Sequence, residues 1–368
     1  MNIKIEATAD NKALIKAMAS DNKAEAFTAQ AAVAKFVMAP IEDLVKQAAI
    51  LSKWYKDFSF NEDDNPTIPV SFYADRTAEG SLTVWSQSVS GGLASNFTIP
   101  YGTELRFQTY SLDSAISFDA KHARKARLDV IGPELTMLAQ TFLAKMERLS
   151  ANQILQMLAA NATDALAISS TTTAKLLPAD FNSLLLKMAR MNTAWNGGTA
   201  VGVSNKVTDV FMSPERMFDM RAMAYNPINT TAPNGIAAAN SSGAVQAPEG
   251  VRAELFNGGG VASFYGMGLH EMQELGVAKR YVTKFKEYAD AASVTFNSAD
   301  DLMLAVNMGN SGLIRPVEVN AETNAQVRLV PDDQYASRQE RIGFYGKIEE
   351  ARLGFNNRGV AGIRVKGA

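Results

Sequence analysis

Between residues 66 and 118 the chain alternates apolar and polar side chains over a longer run than either face could bury, and this most constrains the fold. Ile68, Val70 and Phe72 alternate with polar neighbours, Ala78, Glu79 and Gly80 mark a turn, and Leu82, Val84 and Val89 resume a period of two around Trp85. That pattern predicts a β-hairpin. Beyond a flexible Ser90, Gly91 and Gly92 break, Leu105, Phe107 and Thr109 alternate again, through Tyr110 and Leu112 to Ile116 and Phe118. So much strand with so little apolar surface has no core of its own, and the spacing predicts an extended arm whose partner is another subunit.

At 368 residues the chain exceeds the usual single-core domain, so two lobes or one lobe with long extensions are expected. Charged residues make up 20% of it, below the globular average of about 25%, which favours extensive subunit contacts. Lys and Arg number 36 against 38 Asp and Glu, so the net charge of -2 supplies no field to hold a polyanion. Nucleic acid near such a protein is contained rather than gripped. The absence of cysteine removes disulfides, thiolate nucleophiles and Cys-based metal sites together. No run of about 18 apolar residues occurs and the N-terminus lacks a signal-peptide core, so the chain is expected to be cytosolic when made and to use no membrane.

Leu14, Ala17 and Met18, then Phe27, Ala31, Ala34 and Met38, predict two short amphipathic helices, and Pro40 fits the first turn of a third that carries Ile41, Leu44, Val45, Ala48 and Leu51. This region either caps a core or forms a mobile arm. Gly132, Pro133 and Glu134 predict the start of a long helix whose stripe runs through Leu135, Leu138, Phe142, Met146 and Leu149 to Ala160. Ahead of it, Lys121, His122, Arg124, Lys125 and Arg127 lack the stacking aromatics of a nucleic-acid site and read as a solvated or subunit-contact face. The second half alternates strands with helices: a helix over 178–191, a buried strand over 207–212, and a helix started by Ser213, Pro214 and Glu215. Residues 225–250 predict an irregular loop. Strands follow at 302–306, 313–319, 325–330 and 342–355, and a turn at Asn356, Asn357, Arg358 and Gly359 leads to Val360, Ile363 and Val365.

Chemistry is sparse. His270 and Glu271 begin a near match to the zinc-protease pattern, but Glu274 replaces its second histidine. His122 and His270 are the only histidines, and each reads as a surface or helix-end residue. Gly258 to Gly260 and Gly266 to Gly268 read as turn glycines, since no Gly-Lys-Ser/Thr follows. The pairs Asp63 and Asp64, Asp300 and Asp301, and Asp332 and Asp333 sit at element boundaries, where they would cap or solubilise. No residue is assigned a catalytic, cofactor-binding or metal-ligating role, and the chain does not read as an enzyme.

The order of elements, with Val210, Phe211, Met212, Ser213, Pro214 and Glu215 as a strand-to-helix step and the end from Gln339 to Gly346 and from Phe355 to Gly359, resembles the HK97-fold family. These are the major capsid proteins of tailed double-stranded DNA bacteriophages. The resemblance implies an α+β fold with an N-terminal arm (1–65), an extended β-arm or E-loop (66–127), a P-domain with a long spine helix (128–200), an A-domain (201–325) and C-terminal P-domain strands (326–368). It implies a structural protein that self-assembles through hexamers and pentamers into an icosahedral shell enclosing double-stranded DNA, without sequence-specific binding. The location would be the virion, after assembly in the host cytoplasm. The partners would be further copies of the chain and separate scaffolding, portal and decoration proteins, with no cofactor. Phe72, Arg76, Trp85, Arg106, Phe107 and Tyr110 would lie at the subunit interface. Some members cross-link the arm through a lysine, but none occurs here between Lys56 and Lys121, which implies a shell without isopeptide bonds. An encapsulin-type nanocompartment shell is the alternative within the same fold, and a soluble hydrolase or metalloenzyme using His270 and Glu271 is the alternative outside it.

Overall fold

A computed structural model of the chain describes residues 8–61, 67–69, 104–161, 167–190, 206–225, 263–264, 266–308, 312–320, 325–332, 340–354 and 359–367. In chain order these form α1 (Ala9–Ala17), α2 (Lys23–Ala48), a 3-10 turn (Ser52–Trp54), β1 (Lys56–Phe60), β2 (Thr67–Pro69), β3 (Glu104–Arg106), β4 (Tyr110–Asp119), α3 (Ala120–Arg124), α4 (Leu128–Asn161), β5 (Ala167–Ser169), α5 (Pro178–Arg190), β6 (Asp209–Met212), α6 (Pro214–Tyr225), β7 (Ser263–Phe264), β8 (Met267–Glu271), α7 (Arg280–Ala291), β9 (Asp301–Val306), β10 (Leu313–Glu318), β11 (Arg328–Asp332), β12 (Arg341–Glu350), β13 (Leu353–Gly354) and β14 (Val360–Val365). The fold is mixed α+β. It divides into one unit of Met1–Pro69, Thr103–Ala151 and Leu313–Leu353, and a second of Val70–Gly102, Asn152–Gly312 and Gly354–Ala368.

The first unit is built on β12. β4 pairs antiparallel with it over ten residues, from Tyr110 opposite Glu350 to Asp119 opposite Arg341, and β11 pairs antiparallel along its other side. β10 meets the end of β12 at Val317 and Glu350, and β1 runs parallel to β10. Strand alternation turns Leu112 and Phe118 of β4, and Ile342, Phe344 and Ile348 of β12, into one core with Leu135, Leu138, Phe142 and Met146 of α4 and Val33, Val37 and Ile41 of α2. Residues 110–119, read from sequence as the last part of the arm, are therefore a strand of this sheet. Their partner lies more than two hundred residues downstream, and alternation alone cannot say which sheet a strand joins.

Two helix expectations change. The helices predicted on either side of Pro40 are one, α2, which Asn22 caps by accepting from the Ala24 amide at 3.2 Å. Pro40 cannot donate to the carbonyl four residues back, a loss of about 3 kcal/mol. Carrying the buried stripe of Val33, Val37, Ile41, Leu44 and Val45 across that gap outweighs it, at roughly 1.5–3 kcal/mol for each fully buried side chain. With Ile15 and Met18 of the α1 segment also buried, residues 8–48 cap this core and the mobile-arm alternative does not describe them. The long helix α4 begins at Leu128, ahead of Gly132 and Pro133, which lie inside it. Downstream, the Glu147 carboxylate accepts from three successive amides, Ile50 at 3.0 Å, Leu51 at 2.8 Å and Ser52 at 3.0 Å, and so pins the chain after α2.

The second unit holds a mixed sheet in the order β5, β14, β9, β6, β8, β7. β6 and β9 are buried along their whole length, which explains why Asp209–Met212 and Asp301–Val306 are nearly continuous apolar runs. Val210, Met212, Met303, Ala305, Ala361 and Ile363 pack with Phe181, Leu184 and Met188 of α5 and Met217 and Met220 of α6. At the step from β6 to α6 the Ser213 hydroxyl accepts from the Arg216 amide at 3.4 Å and donates to Asp301 at 2.7 Å. Asp300 and Asp301 do stand at the start of β9, and Asp300 accepts from the amides of Asn297 and Gly367, but neither is a solubilising residue. Both are buried, because each meets an arginine: Asp301 the Nε of Arg216 at 3.0 Å and Asp300 the Nε of Arg364 at 2.6 Å.

Candidate assembly site

β2 and β3 form a two-stranded antiparallel ladder, with Thr67 opposite Arg106, Ile68 opposite Leu105 and Pro69 opposite Glu104. They join no other strand among the described residues. The ladder brackets residues 70–103 in the chain, which lie outside the described residues. Of the six residues expected at a subunit interface, Phe72, Arg76 and Trp85 lie outside the described residues. Arg106 is exposed at the first rung. Phe107 and Tyr110 turn into their own subunit. The Phe107 ring is buried edge-on against Phe60, with centroids 6.4 Å apart and planes at 71°. Tyr110 is half-buried and its hydroxyl donates to Glu350 at 3.4 Å. Burial and the Glu350 charge together drive that phenol well above its ordinary range.

Glu350 is the centre of a buried ionic cluster. Its carboxylate takes the Nε of Arg315 at 2.6 Å and the Nη2 of Arg352 at 3.1 Å, and Arg352 also lies over the Tyr55 ring at 4.9 Å. Tyr55 donates to the Ser150 carbonyl at 2.9 Å, and its hydroxyl is held far above the ordinary phenol range, mainly by burial. Arg315 extends the network to Gln326 at 3.0 Å and Asp57 at 3.4 Å. β1, β4, β10 and β12 are thereby tied at the foot of the ladder. The Nη1 of Arg352 is buried without a hydrogen-bond partner, but each charge of the cluster meets an opposite one, and the pairs hold the strands in position.

The face of the first sheet opposite its core carries a short apolar row, Ala115 opposite Tyr345 opposite Val330, with Tyr345 36% and Val330 37% exposed. Charges flank it in register: Asp113 and Arg328 both oppose Lys347 on one side, and Asp119 opposes Arg341 on the other. Hydrogen bonds from Ser111 and then Tyr345 hold the Asp113 carboxyl below its ordinary range. Phe27 and Phe36 of α2 are also exposed, the latter by 56%. A groove of about 280 Å³ runs between Phe27, Ala31 and Lys35 on α2 and Val330 and Pro331 on β11. The basic segment before α4 is partly neutralised, since Lys121 meets Asp119 at 2.9 Å and Arg124 meets Glu340 at 3.7 Å.

The alternative chemistry at His270 has the wrong geometry. His270 and Glu271 are neighbours on β8, so their side chains leave opposite faces of a strand and cannot converge as they would on the helix of a zinc protease. His270 is neither at a helix end nor fully on the surface. It is half-buried, stacks on Phe211 at 5.1 Å, and its Nε2 lies 2.8 Å from Asp209. Gly268 makes room for that pair, since a β-carbon there would come within 2.8 Å of the Asp209 carboxylate. Among the described residues no three His, Cys, Asp or Glu side chains are grouped to hold a metal ion, and no helix is long and apolar enough to cross a membrane. Sequence reasoning missed the Glu350 cluster, whose members are far apart in the chain; the unusual Glu349, Glu350 and Arg352 at a strand end were its only signal.

No protein-family model matches the chain, and no curated protein does. It is similar to solved structures that include the following three. The capsid of the cyanophage P-SCSP1u has 10% identity and a TM-score of 0.48, over 87% of this chain and 88% of that one. The mature capsid of bacteriophage PhiM1 has 10% identity and a TM-score of 0.47, over 86% of each. The holo-SrpI encapsulin complex from Synechococcus elongatus has 8% identity and a TM-score of 0.39, over 72% of this chain and 76% of that one.

Proposed function

We propose that this protein is a structural shell subunit, a major capsid protein of the HK97 type that self-assembles through hexamers and pentamers into an icosahedral container for double-stranded DNA. The observation that carries this reading is the ladder of β2 and β3, which joins no other strand among the described residues. A two-stranded ladder is marginal in water on its own. It becomes stable when a second copy of the chain covers it, and a closed ring of copies covers every ladder in turn. The exposed row of Ala115, Tyr345 and Val330 offers apolar surface for such contacts. Arg106 remains an interface residue in this account together with Phe72, Arg76 and Trp85, whereas Phe107 and Tyr110 hold the root of the arm.

The near balance of charge, -2 over 368 residues, suits a wall that contains DNA without gripping it. The protein is not an enzyme in this reading, its location is the virion after assembly in the host cytoplasm, and any scaffolding, portal and decoration proteins are separate chains. Particles isolated from the native source and treated with nuclease should release long double-stranded DNA when opened. Particles filled with protein and free of DNA would instead make this an encapsulin-type shell.

A further inference from the structure

We infer that the outer face of the first sheet is a two-fold contact for a second copy of this chain, an inference that names one contact within the shell reading but does not depend on that reading for its test. Strand alternation turns Leu112, Phe118, Ile342, Phe344, Ile348 and Leu329 into the core, so their neighbours along β4, β12 and β11 form the opposite face. That face is a grid in register. Its central row is Ala115, Tyr345 and Val330, apolar and exposed. On one side of this row stand Asp113, Lys347 and Arg328, and on the other Ser117, Gly343 and Asp332. The outermost rows are Ser111 with Glu349 and Asp119 with Arg341.

A second copy turned about a two-fold axis along the central row lays that row on itself and reverses the order of the others. Arg328 then faces Asp332 of the second copy, and Glu349 faces its Arg341. Lys347 faces Gly343, Asp113 faces Ser117, and Asp119 faces Ser111. Each charge meets its opposite or an uncharged residue, and apolar meets apolar. An axis along β12 does worse, because it sets Lys347, Glu349 and Arg341 each against its own copy, like charge on like. A charge pattern that fits its own reverse points to a copy of the chain rather than to an unrelated protein. Arg341 and Glu349 also have neighbours in their own subunit, Asp119 at 3.8 Å and Lys347 at 3.1 Å, but keep exposed surface for a second partner. Three strands about 4.8 Å apart and five rows about 6.7 Å apart give roughly 400–500 Å² per copy. That is below the ~800 Å² per partner of a standard interface, so the contact is weak between two free copies and gains strength where many repeat.

The chain has no cysteine, so a single introduced one reports whether a residue meets its own copy. In the full-length protein, a short bismaleimide should join Val330→Cys into a covalent dimer, since the axis passes beside that residue. Arg341→Cys, also exposed, should give at most a tenth of that yield, because its two copies would stand about 26 Å apart at about 3.3 Å per residue. Arg328→Asp and Asp332→Arg, each added to Val330→Cys, should lower the yield at least fivefold, and both together should restore it. Within one chain these residues are four positions apart on a strand, about 13 Å, so restoration reports a second copy. Melting curves show whether each variant folds, and if a charge variant does not, the two cysteine variants still decide. No dimer from Val330→Cys, an equal yield from Arg341→Cys, or a yield that ignores the charge reversals overturns the inference. Cross-linked dimers in a protein that forms no shells uphold the contact and remove the shell reading alone. Shells whose Val330→Cys subunits do not cross-link overturn the contact and leave the shell reading standing.

Discussion

The ring of Phe142 on α4 occupies the space that a side chain at Gly346 on β12 would need: a β-carbon there would lie 3.0 Å from Cε2 and 3.1 Å from Cζ of the ring. The glycine is present for the approach of a neighbour, not for its own backbone freedom. Gly346→Ala should cost about 1–3 kcal/mol by overpacking. Phe142→Ala should cost about 3–5 kcal/mol by leaving a cavity. The double variant should cost less than the sum, since the new methyl enters the space the ring vacates. Urea unfolding of the unassembled subunit measures all three, and strict additivity would separate the two residues.

Asp300 should make the second unit sensitive to acid. Burial pushes its carboxyl up, but the amides of Gly367 and Asn297 and the Arg364 guanidinium outweigh that and hold it below its ordinary value. A carboxyl with a folded value below the unfolded one of about 3.9 contributes its full stability above that value and loses it as pH falls through the lower, folded one. Asp300→Asn should therefore unfold more easily than the parent at neutral pH, by about 1–3 kcal/mol, with the difference shrinking below about pH 4. Denaturation of both proteins across that range is the check; a gap that stays constant would show that the ionised carboxylate is not what stabilises.

What the sequence made legible is what depends on neighbours in the chain. The stripe from Leu135 to Met146, the strand, Ser213 cap and helix around residues 209–225, and the alternation of β12 all follow from local periodicity and capping. What it hid depends on distant partners. Tyr110 to Asp119 alternates just as an arm strand would, and only β12 shows it to be part of a core. Pro40 looks like a helix start until the buried stripe on both sides of it is seen to be continuous. Asp301 looks like a solvated strand end until Arg216, 85 positions earlier, closes on it. Phe107 and Tyr110 are expected at a subunit interface with Arg106 by resemblance alone, and no local pattern shows their contacts with Phe60 and Glu350.

Replacing residues 70–103 by a short Gly and Ser turn should leave a folded subunit that assembles no shells. The core of the first unit, which does not include the ladder of β2 and β3, would survive. Near-ultraviolet circular dichroism reports the core, and electron microscopy reports the particles. Normal shells from this variant would show that the arm is dispensable.

Cohesion should be non-covalent, because residues 57–120 contain no lysine to form an isopeptide bond. Exposed ion pairs at such contacts contribute about 0–1 kcal/mol each, so buried apolar surface and the number of contacts supply the rest. Boiled particles should run on a denaturing gel as one band at the 39.7 kDa of a single chain. A ladder of covalent multimers would contradict this.

Cryo-electron microscopy of the purified protein tests the shell account most directly. The account predicts closed, hollow particles of icosahedral symmetry built from five-fold and six-fold rings, with density for residues 70–103 of each subunit lying on a neighbouring copy. A sample of monomers or discrete small oligomers, unchanged across protein concentration and ionic strength, would contradict it.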